Sequence, residues 1–348
     1  MRNFIIWMAV LLGVFCVPLF QLSRFAAASG LFSYILLVPF ISGYLIWLNR
    51  KALASGPNPL LPSPSAPLRR DRSPSAPIQQ EQMNTLSPSR GSEAGLMEGE
   101  RDGVRGNSSS EKSILGMIFL AAGVLAFAFY AAVEWTDAAW PRADTLALAV
   151  TSFLCLAIGG GLLCFGQAVL ARIAFPIGFL FFMLPLPVAI ESGVDTFFQH
   201  TSAAATSVLL ELSGTPYYRE ELKFKLPGIT ILVAPECSGI RSTLVLFMTS
   251  LLGGYLFLRA PWRRSAFALS VIPLAILRNG LRIFTIALLC VHIGPEMIHS
   301  AIHRRGGPVF FALSLAPLFL FLLVLRKTEG RDQKSAVSGQ RSGLPPDC

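Results

Sequence analysis

The chain has 348 residues, of which 53% are hydrophobic and 14% are charged, and its mean hydropathy is +0.58. These values exclude a water-soluble globular protein. The net charge is +9, but the 29 lysine and arginine residues stand mostly between the apolar segments. That distribution is typical of residues that orient a membrane protein beside anionic lipids. We therefore expect membrane lipids, and no nucleic acid, among the partners.

Apolar runs of about 18 to 24 residues recur along the chain, and each is long enough to cross about 30 Å of hydrocarbon as a helix. The sequence predicts eight spans, at residues 4–22, 31–48, 114–133, 145–165, 173–190, 239–258, 266–290 and 308–325. The first is interpreted as an uncleaved helix, because no clear cleavage site follows it. The predicted fold class is an all-α polytopic membrane protein, with a short interfacial helix and hairpin before the sixth span.

The positive charges predict the orientation in the membrane. If Arg2 is cytoplasmic, so are the connection 49–113, the turn 259–264 and the tail after residue 325, and these segments hold most of the lysines and arginines. The positive-inside rule favours this orientation. We expect a multi-pass protein of the cell inner (plasma) membrane.

Residues 52–113 differ from the rest of the chain in composition. This segment contains eight prolines, many serines and arginines, and no aromatic residue. It has no helical or strand periodicity, and this composition predicts a disordered cytoplasmic loop. The loop separates helices 1 and 2, in residues 1–51, from a membrane domain in residues 114–348 with a short cytoplasmic tail.

The stretch before the sixth predicted span is too polar to cross a membrane. Its first part predicts an amphipathic helix at the outer interface. The alternation in Lys223–Leu226, the Pro227-Gly228 turn and the apolar run Ile229–Val233 then predict a hairpin. This hairpin leads directly to Cys237.

Cys237 stands in an unusual context, within the run Ala-Pro-Glu-Cys-Ser-Gly-Ile-Arg-Ser at 234–242. A thiol at a helix N-terminus beside an arginine is favoured as the nucleophilic thiolate. Small neighbours such as Ser238 and Gly239 could supply an amide to a developing oxyanion. The alternative is a helix cap with a buried, inert thiol.

Two arginines, Arg278 and Arg282, lie one helical turn apart inside the seventh predicted span. An arginine at membrane depth costs at least about 2.5–3.5 kcal/mol, which makes a functional site the first hypothesis. The alternative is snorkelling to headgroups, or pairing with Glu191 or Glu236.

Three histidines, His292, His299 and His303, follow the seventh predicted span on the outer side. An imidazole near a thiol is what acyl transfer requires. The alternative is a set of solvated surface residues. Glu296, His299 and His303 share one helical face, but no further metal ligand is evident, and so no metal is expected.

These motifs in this order resemble the exosortase/archaeosortase family of membrane-embedded cysteine transpeptidases. The order is Cys-Ser-Gly-Ile-Arg from Cys237, Asn-x-x-Arg-Ile from Asn279, and a histidine, His303, four residues before Gly307. The resemblance is strongest over residues 188–326, the core of the expected catalytic domain.

The resemblance implies that Cys237 is the nucleophile, Arg282 the essential arginine and His303 the histidine, with His299 as the alternative histidine. The residues expected to support the site or bind substrate are Glu236, Ser238, Gly239, Arg241, Arg278 and Asn279. No metal or organic cofactor is required.

The resemblance also implies an activity and a partner. The enzyme is expected to cleave the C-terminal sorting tail of secreted proteins through a thioester on Cys237, near the outer, periplasmic face of the membrane. Such a tail has a short Pro-Glu-Pro-like motif, a hydrophobic span and a basic end. Two other classes stay open: a multi-span transporter or exporter of lipid-linked or anionic substrates, which would explain the arginines but not the cysteine, and a structural scaffold.

Overall fold

The computed structural model describes residues 2–50, 99–136, 139–233, 239–299 and 307–342. Within these ranges only the backbone is described for 99–113, 298–299, 308 and 332–342. Cys237 and His303, with Glu236 and Ser238, therefore lie outside the described residues.

Helices make up most of the described chain. They are α1 (Arg2–Val14), α2 (Cys16–Ala28), α3 (Val38–Leu48), α4 (Gly99–Trp135), α5 (Arg142–Phe165), α6 (Gln167–Arg172), α7 (Ala174–Phe179), α8 (Val188–Leu212), α9 (Ile240–Phe257), α10 (Pro261–Leu269), α11 (Val271–His292) and α12 (Gly307–Ser342). Short 3-10 segments occupy Ser33–Leu36, Leu180–Met183 and Pro295–His299. Helices satisfy their own backbone hydrogen bonds, as a bilayer requires.

Five helical stretches of the described chain are long and apolar enough to cross a membrane. They are Ile114–Trp135, Arg142–Phe165, Ile240–Phe257, Pro261–His292 and Val309–Arg331. Two bent pairs raise the number to seven if each pair is one span, and Ser33–Leu48 is a shorter apolar helix. The fold class is therefore confirmed, and the count of eight is not.

Prolines break two of the predicted spans. The predicted span 4–22 is divided between α1 and α2, and in the predicted span 173–190 the first helical stretch ends at Met183, before α8 begins at Val188. Pro18 and Pro187 stand four residues after Val14 and Met183, the last residues of the preceding elements. A proline ring clashes with the carbonyl four residues earlier, and so the helix ends there. Neither range is the continuous helix that we predicted.

The structure differs from the predicted loop 52–113 over its last 15 residues. Residues 99–113 are helical, because α4 begins at Gly99, and residues 51–98 lie outside the described chain. Extending an existing helix costs far less than nucleating one. The apolar stretch that begins at Ile114 therefore supports helix in the polar residues before it.

The chain divides into two compact units. The first comprises Met1–Val17, Val38–Thr136 and Leu148–Phe181. In it, α4 packs closely on α5, because glycines on each helix receive leucines of the other: a Cβ on Gly123 would come within 2.7 Å of Leu156, and one on Gly159 within 2.8 Å of Leu120. The hydroxyl of Ser152 donates to the Gly123 carbonyl at 2.7 Å. Small residues let membrane helices approach in this way.

The second unit comprises Pro18–Leu37, Asp137–Ala147 and Phe182–Cys348, and it contains every candidate site residue. An antiparallel sheet stands between α8 and α9, in the order β1 (Tyr218–Glu220), β2 (Lys223–Leu226) and β3 (Ile229–Leu232). The predicted hairpin is confirmed as β2 and β3, joined at Pro227-Gly228, where Gly228 has φ 81°. β1 adds a third strand, and the predicted short helix is 25 residues long.

The sheet packs on α8 and α11. Its inner face buries Phe224, Leu226, Ile231 and Val233 against a cluster from the two helices. That cluster contains Ala203, Leu210, Ile283 and Ala287. The sheet is therefore a fixed platform that ends beside the segment containing Cys237.

Candidate active site

Gly239 forms the start of α9, two residues after Cys237. Its φ of 71° and ψ of 18° are left-handed, a conformation that glycine adopts at little cost. Its carbonyl accepts hydrogen bonds from the Thr243 N–H at 3.0 Å, the Thr243 hydroxyl at 2.9 Å and the Ser242 hydroxyl at 3.0 Å. No side chain of the described residues caps α9. The positive end of the α9 dipole therefore lies at Gly239.

Arg278 of α11 holds this glycine in place. Its Nη2 donates to the Gly239 carbonyl at 3.2 Å and to the Thr243 hydroxyl at 3.1 Å. The side chain is only 6% exposed, and its Nη1 has no hydrogen-bond partner among the described residues. A buried guanidinium N–H without a hydrogen-bond partner is costly. Nη1 is therefore suited to donate to an acceptor outside the described residues.

The neighbouring Asn279 joins α11 to α8. Its Nδ2 donates to the Ser202 hydroxyl at 3.1 Å, and both side chains are buried. The Thr206 hydroxyl, one turn further along α8, donates to the Ser202 carbonyl of its own helix at 2.8 Å and shares this proton with the Gly280 carbonyl at 3.3 Å. We call these contacts, together with those of Arg278 to Gly239 and Thr243, the polar junction; it links α8, α9 and α11.

Gly280 allows the two helices of the junction to meet. A Cβ at this position would lie 2.9 Å from the Ala205 Cβ and 3.4 Å from the Ser202 carbonyl oxygen. Those distances are shorter than ordinary contact. Only glycine permits the observed crossing of α8 and α11.

The other two candidate arginines differ in their surroundings. Arg282 is half-buried, one helical turn beyond Arg278 on α11. Arg241 is exposed, and its Nη2 donates to the Ser33 hydroxyl at 3.3 Å, while a Cβ on Gly30 would lie 3.6 Å from its Nη1. Arg241 is thus bound to the segment before α3, and its described contacts are not with the polar junction.

Two of the three predicted histidines lie within the described residues. His292 is exposed at the end of α11, and His299 ends the 3-10 segment Pro295–His299. His303 lies beyond the described residues. Among the described residues, no three metal-binding side chains form a group. The set of Glu296, His299 and His303 lies partly outside those residues.

The outer face of the sheet is charged. Lys225 lies 3.0 Å from Glu220 across β1 and β2, and its hydrogen bond and charge lower the pKa of Glu220 below its usual range. Lys223 adds a smaller effect of the same sign. These exposed charges require water, and so the outer face of the sheet is solvated.

An apolar groove opens next to the polar junction. It has a volume of about 350 Å³, and its lining includes Gly193 and Phe197 of α8, Thr243 and Phe247 of α9, and Ile272 of α11. Thr243 belongs to both features. The groove therefore begins one helical turn from the N-terminus of α9.

The sequence interpretation missed four residues of the polar junction: Ser202, Thr206, Thr243 and Gly280. Ser202 and Thr206 are spaced by one helical turn in α8, a signal that both face the same neighbour. Gly280 follows Asn279 directly, inside a helix, where glycine is unfavourable unless a close approach needs it.

A comparison with protein-family models matches residues 94–320 to the transmembrane exosortases. The match covers more than half of the chain and contains the polar junction, the sheet and Cys237. The chain belongs to the transmembrane exosortase family, a class of multi-pass membrane sorting transpeptidases that process secreted proteins carrying sorting signals. Comparisons with curated proteins and with solved structures gave no match.

Proposed function

We propose that this exosortase is a cysteine protease or transpeptidase that removes the C-terminal sorting tail of secreted proteins through a thioester on Cys237. The observation that supports this most directly is the anchoring of Gly239, two residues after Cys237, by the buried Arg278. This contact joins the start of α9 to α11.

The N-terminus of α9 supports a reactive thiol at Cys237. This helix has 18 residues, and its first-turn N–H groups and dipole create a positive potential at its start. Arg278 and Arg282 add positive charge from α11. This potential stabilises a thiolate relative to a thiol.

The reaction has two steps. The Cys237 thiolate attacks the carbonyl carbon of the scissile peptide bond, and Arg282 with the amides of Ser238 or Gly239 stabilises the oxyanion. His303, or His299 in its place, gives a proton to the leaving amine. The C–N bond breaks, the tail departs with a free amine, and the secreted protein remains as a thioester on Cys237.

The second step consumes the thioester. The histidine, now neutral, takes a proton from an acceptor nucleophile as it attacks the thioester carbon, the C–S bond breaks, and the Cys237 thiolate is regenerated. Transfer to such an acceptor makes the enzyme a transpeptidase, whereas transfer to water makes it a protease. Arg278 and Asn279 position the segment that contains the cysteine. Glu236 and Arg241 support the substrate at the edge of the site.

The substrate carries a Pro-Glu-Pro-like motif, a hydrophobic span and a basic end. The apolar groove beside Thr243 suits the hydrophobic span, because it begins one helical turn from the N-terminus of α9, the helix that follows Cys237 in the chain. The arginines of the α9–α10 turn and of α12 favour the cytoplasmic side for these two segments. Cys237 precedes the opposite end of α9 and is then at the periplasmic face of the inner membrane.

The experiment is co-expression with a secreted protein that bears such a tail, with tail removal followed by gel mobility. Cys237→Ala, Arg282→Ala and His303→Ala are expected to lose at least about 10³-fold in rate, whereas His299→Ala keeps activity. Cys164→Ala, an exposed free cysteine of α5, is the matched control and remains active.

The thioester gives a second measurement. With acceptor omitted, a covalent adduct of enzyme and secreted protein accumulates, and hydroxylamine releases it. Continued tail removal by Cys237→Ala contradicts the proposal. An enzyme that processes no tailed protein would favour the transporter class instead.

A further inference from the structure

Among the described residues, β3, the strand that leads to Cys237, has one edge paired with β2 and no strand on its other, open edge. In the β2–β3 hairpin, Leu226 pairs with Ile229 across the two-residue turn, and the Val233 N–H donates to the Leu222 carbonyl at 2.9 Å. Inward and outward peptide groups alternate along an antiparallel strand. The N–H and C=O groups of Thr230 and Leu232 therefore point away from β2, and they have no backbone partner among the described residues.

This open edge is accessible and rigid. Thr230 and Leu232 are exposed, whereas Ile231 and Val233 between and after them are buried in the cluster with α8 and α11. A strand fixed in this way presents donors and acceptors in a constant geometry. Such an edge is a template for an additional strand.

The position of β3 in the chain indicates what pairs with it. β3 ends five residues before Cys237, and five extended residues span at most about 17 Å. The open edge of β1 lies two strand spacings away and does not lead to the cysteine. A peptide on the β3 edge is therefore within reach of the proposed nucleophile.

We propose that the substrate segment just upstream of the cleaved bond binds as a fourth strand on the open edge of β3, parallel to it. This inference rests on the proposed function of Cys237. The upstream segment approaches the nucleophile from the solvated side, as β3 does, and so the two chains run in the same direction. The tail beyond the cleaved bond turns into the hydrocarbon.

The pairing uses main-chain groups and sets the length of the recognised segment. Thr230 and Leu232 each offer one N–H and one C=O, which gives up to four hydrogen bonds. In parallel alignment the paired residues lie within roughly five to seven positions before the cleaved bond. Recognition there depends on an extended conformation more than on side-chain identity, and a proline at a donating position would weaken it.

The first test removes a donor from the open edge. Leu232→Pro deletes an N–H that points away from β2, so the β2–β3 ladder keeps its hydrogen bonds, while Leu232→Ala retains the N–H and loses the side chain. We expect Leu232→Pro to raise KM for the tailed substrate about tenfold over Leu232→Ala, with kcat unchanged. Equal KM values for the two variants would overturn the proposal.

The second test measures the direction of strand pairing, and it does not depend on whether β3 tolerates a proline. Thr230→Cys and Leu232→Cys are each combined with Cys237→Ala, and substrates carry single cysteines along the upstream segment. Neighbouring strands are about 4.8 Å apart, which is compatible with a disulfide. Tyr218→Cys, on the exposed face of β1, is the matched control and forms none.

A parallel strand predicts that the best crosslinking position moves two residues toward the cleaved bond between Thr230→Cys and Leu232→Cys. Movement away from the cleaved bond, or no crosslink at either position, contradicts the inference. Wild-type processing with such a result would overturn only the strand pairing. A wild-type enzyme that processes no tail would remove the proposed function and this inference together.

Discussion

Gly280→Ala tests whether the contact of α8 and α11 maintains the polar junction. The added Cβ would lie 2.9 Å from the Ala205 Cβ, against about 3.5–4.0 Å for carbon atoms in contact, so the helices must separate by roughly 0.6–1.1 Å. Overpacking of this kind costs about 1–3 kcal/mol, and the better helix propensity of alanine returns up to about 1 kcal/mol.

The same separation weakens hydrogen bonds across the junction. The Thr206 bond to the Gly280 carbonyl is already 3.3 Å long, and the Asn279 bond to Ser202 is 3.1 Å. The Asn279 bond is worth about 1 kcal/mol net, and the Thr206 contact is worth less, because its proton is shared with the Ser202 carbonyl of α8 at 2.8 Å. We expect a total loss of about 1–3 kcal/mol in the free energy of unfolding, with reduced tail processing because Arg278 moves as well.

The assay is thermal unfolding of the purified protein in detergent, at one scan rate for all variants. Gly193→Ala is the matched control, because it lies in helix α8 and a Cβ there meets nothing within 4 Å. Adding Ala205→Gly to Gly280→Ala removes the closest contact and should restore part of the loss. If Gly280→Ala unfolds no earlier than Gly193→Ala, the reasoning from this contact is refuted.

Three further outcomes are expected. In Gly239→Ala an alanine must adopt a left-handed conformation, and its Cβ would lie 2.9 Å from Arg278 Nη2, so tail processing should fall at least about tenfold. Gly228→Ala is the control: it has φ 81° but open space around its Cβ, so it carries only the backbone strain of about 1–3 kcal/mol and remains active. Arg278→Lys should unfold at lower temperature, because one ammonium cannot replace the planar contacts to two acceptors; equal melting temperatures would contradict this. The pKa of Glu220 is lowered in the folded state, so its pairing with Lys225 stabilises the fold above a pH of about 4.5 and this stabilisation is lost as the pH falls below that value. The acid-unfolding profile of Glu220→Gln should therefore be flatter in that range. An unchanged profile would contradict the pairing.

Prolines explain why hydropathy alone gave the wrong helix boundaries. Pro18, Pro187 and Pro273 each stand four residues after the end of a helical element, at Val14, Met183 and Leu269. A search for apolar runs does not detect these breaks, because proline is compatible with hydrophobic surroundings. The break comes from a local clash with one carbonyl, but a proline alone does not determine it, because α12 continues through Pro317.

The sequence also carried the class of protein. An apolar run must form a helix in hydrocarbon, and the motifs that begin at Cys237, Asn279 and His303 led to the family that the family-model match confirms. Three motifs at fixed positions in one chain can be read without knowing how the helices pack. The hairpin before Cys237 followed for a similar reason, since its turn chemistry and alternation are local.

The tertiary structure decided which side chains meet. Ser202 and Thr206 are ordinary residues of an amphipathic helix in the sequence, and they bind Asn279 and Gly280 only because α8 and α11 cross at a glycine. Arg278 and Arg282 look equivalent one turn apart, yet the described structure gives Arg278 the carbonyl of Gly239. Contacts between residues distant in sequence depend on helix crossing and rotation, and these follow from the packing of the whole unit.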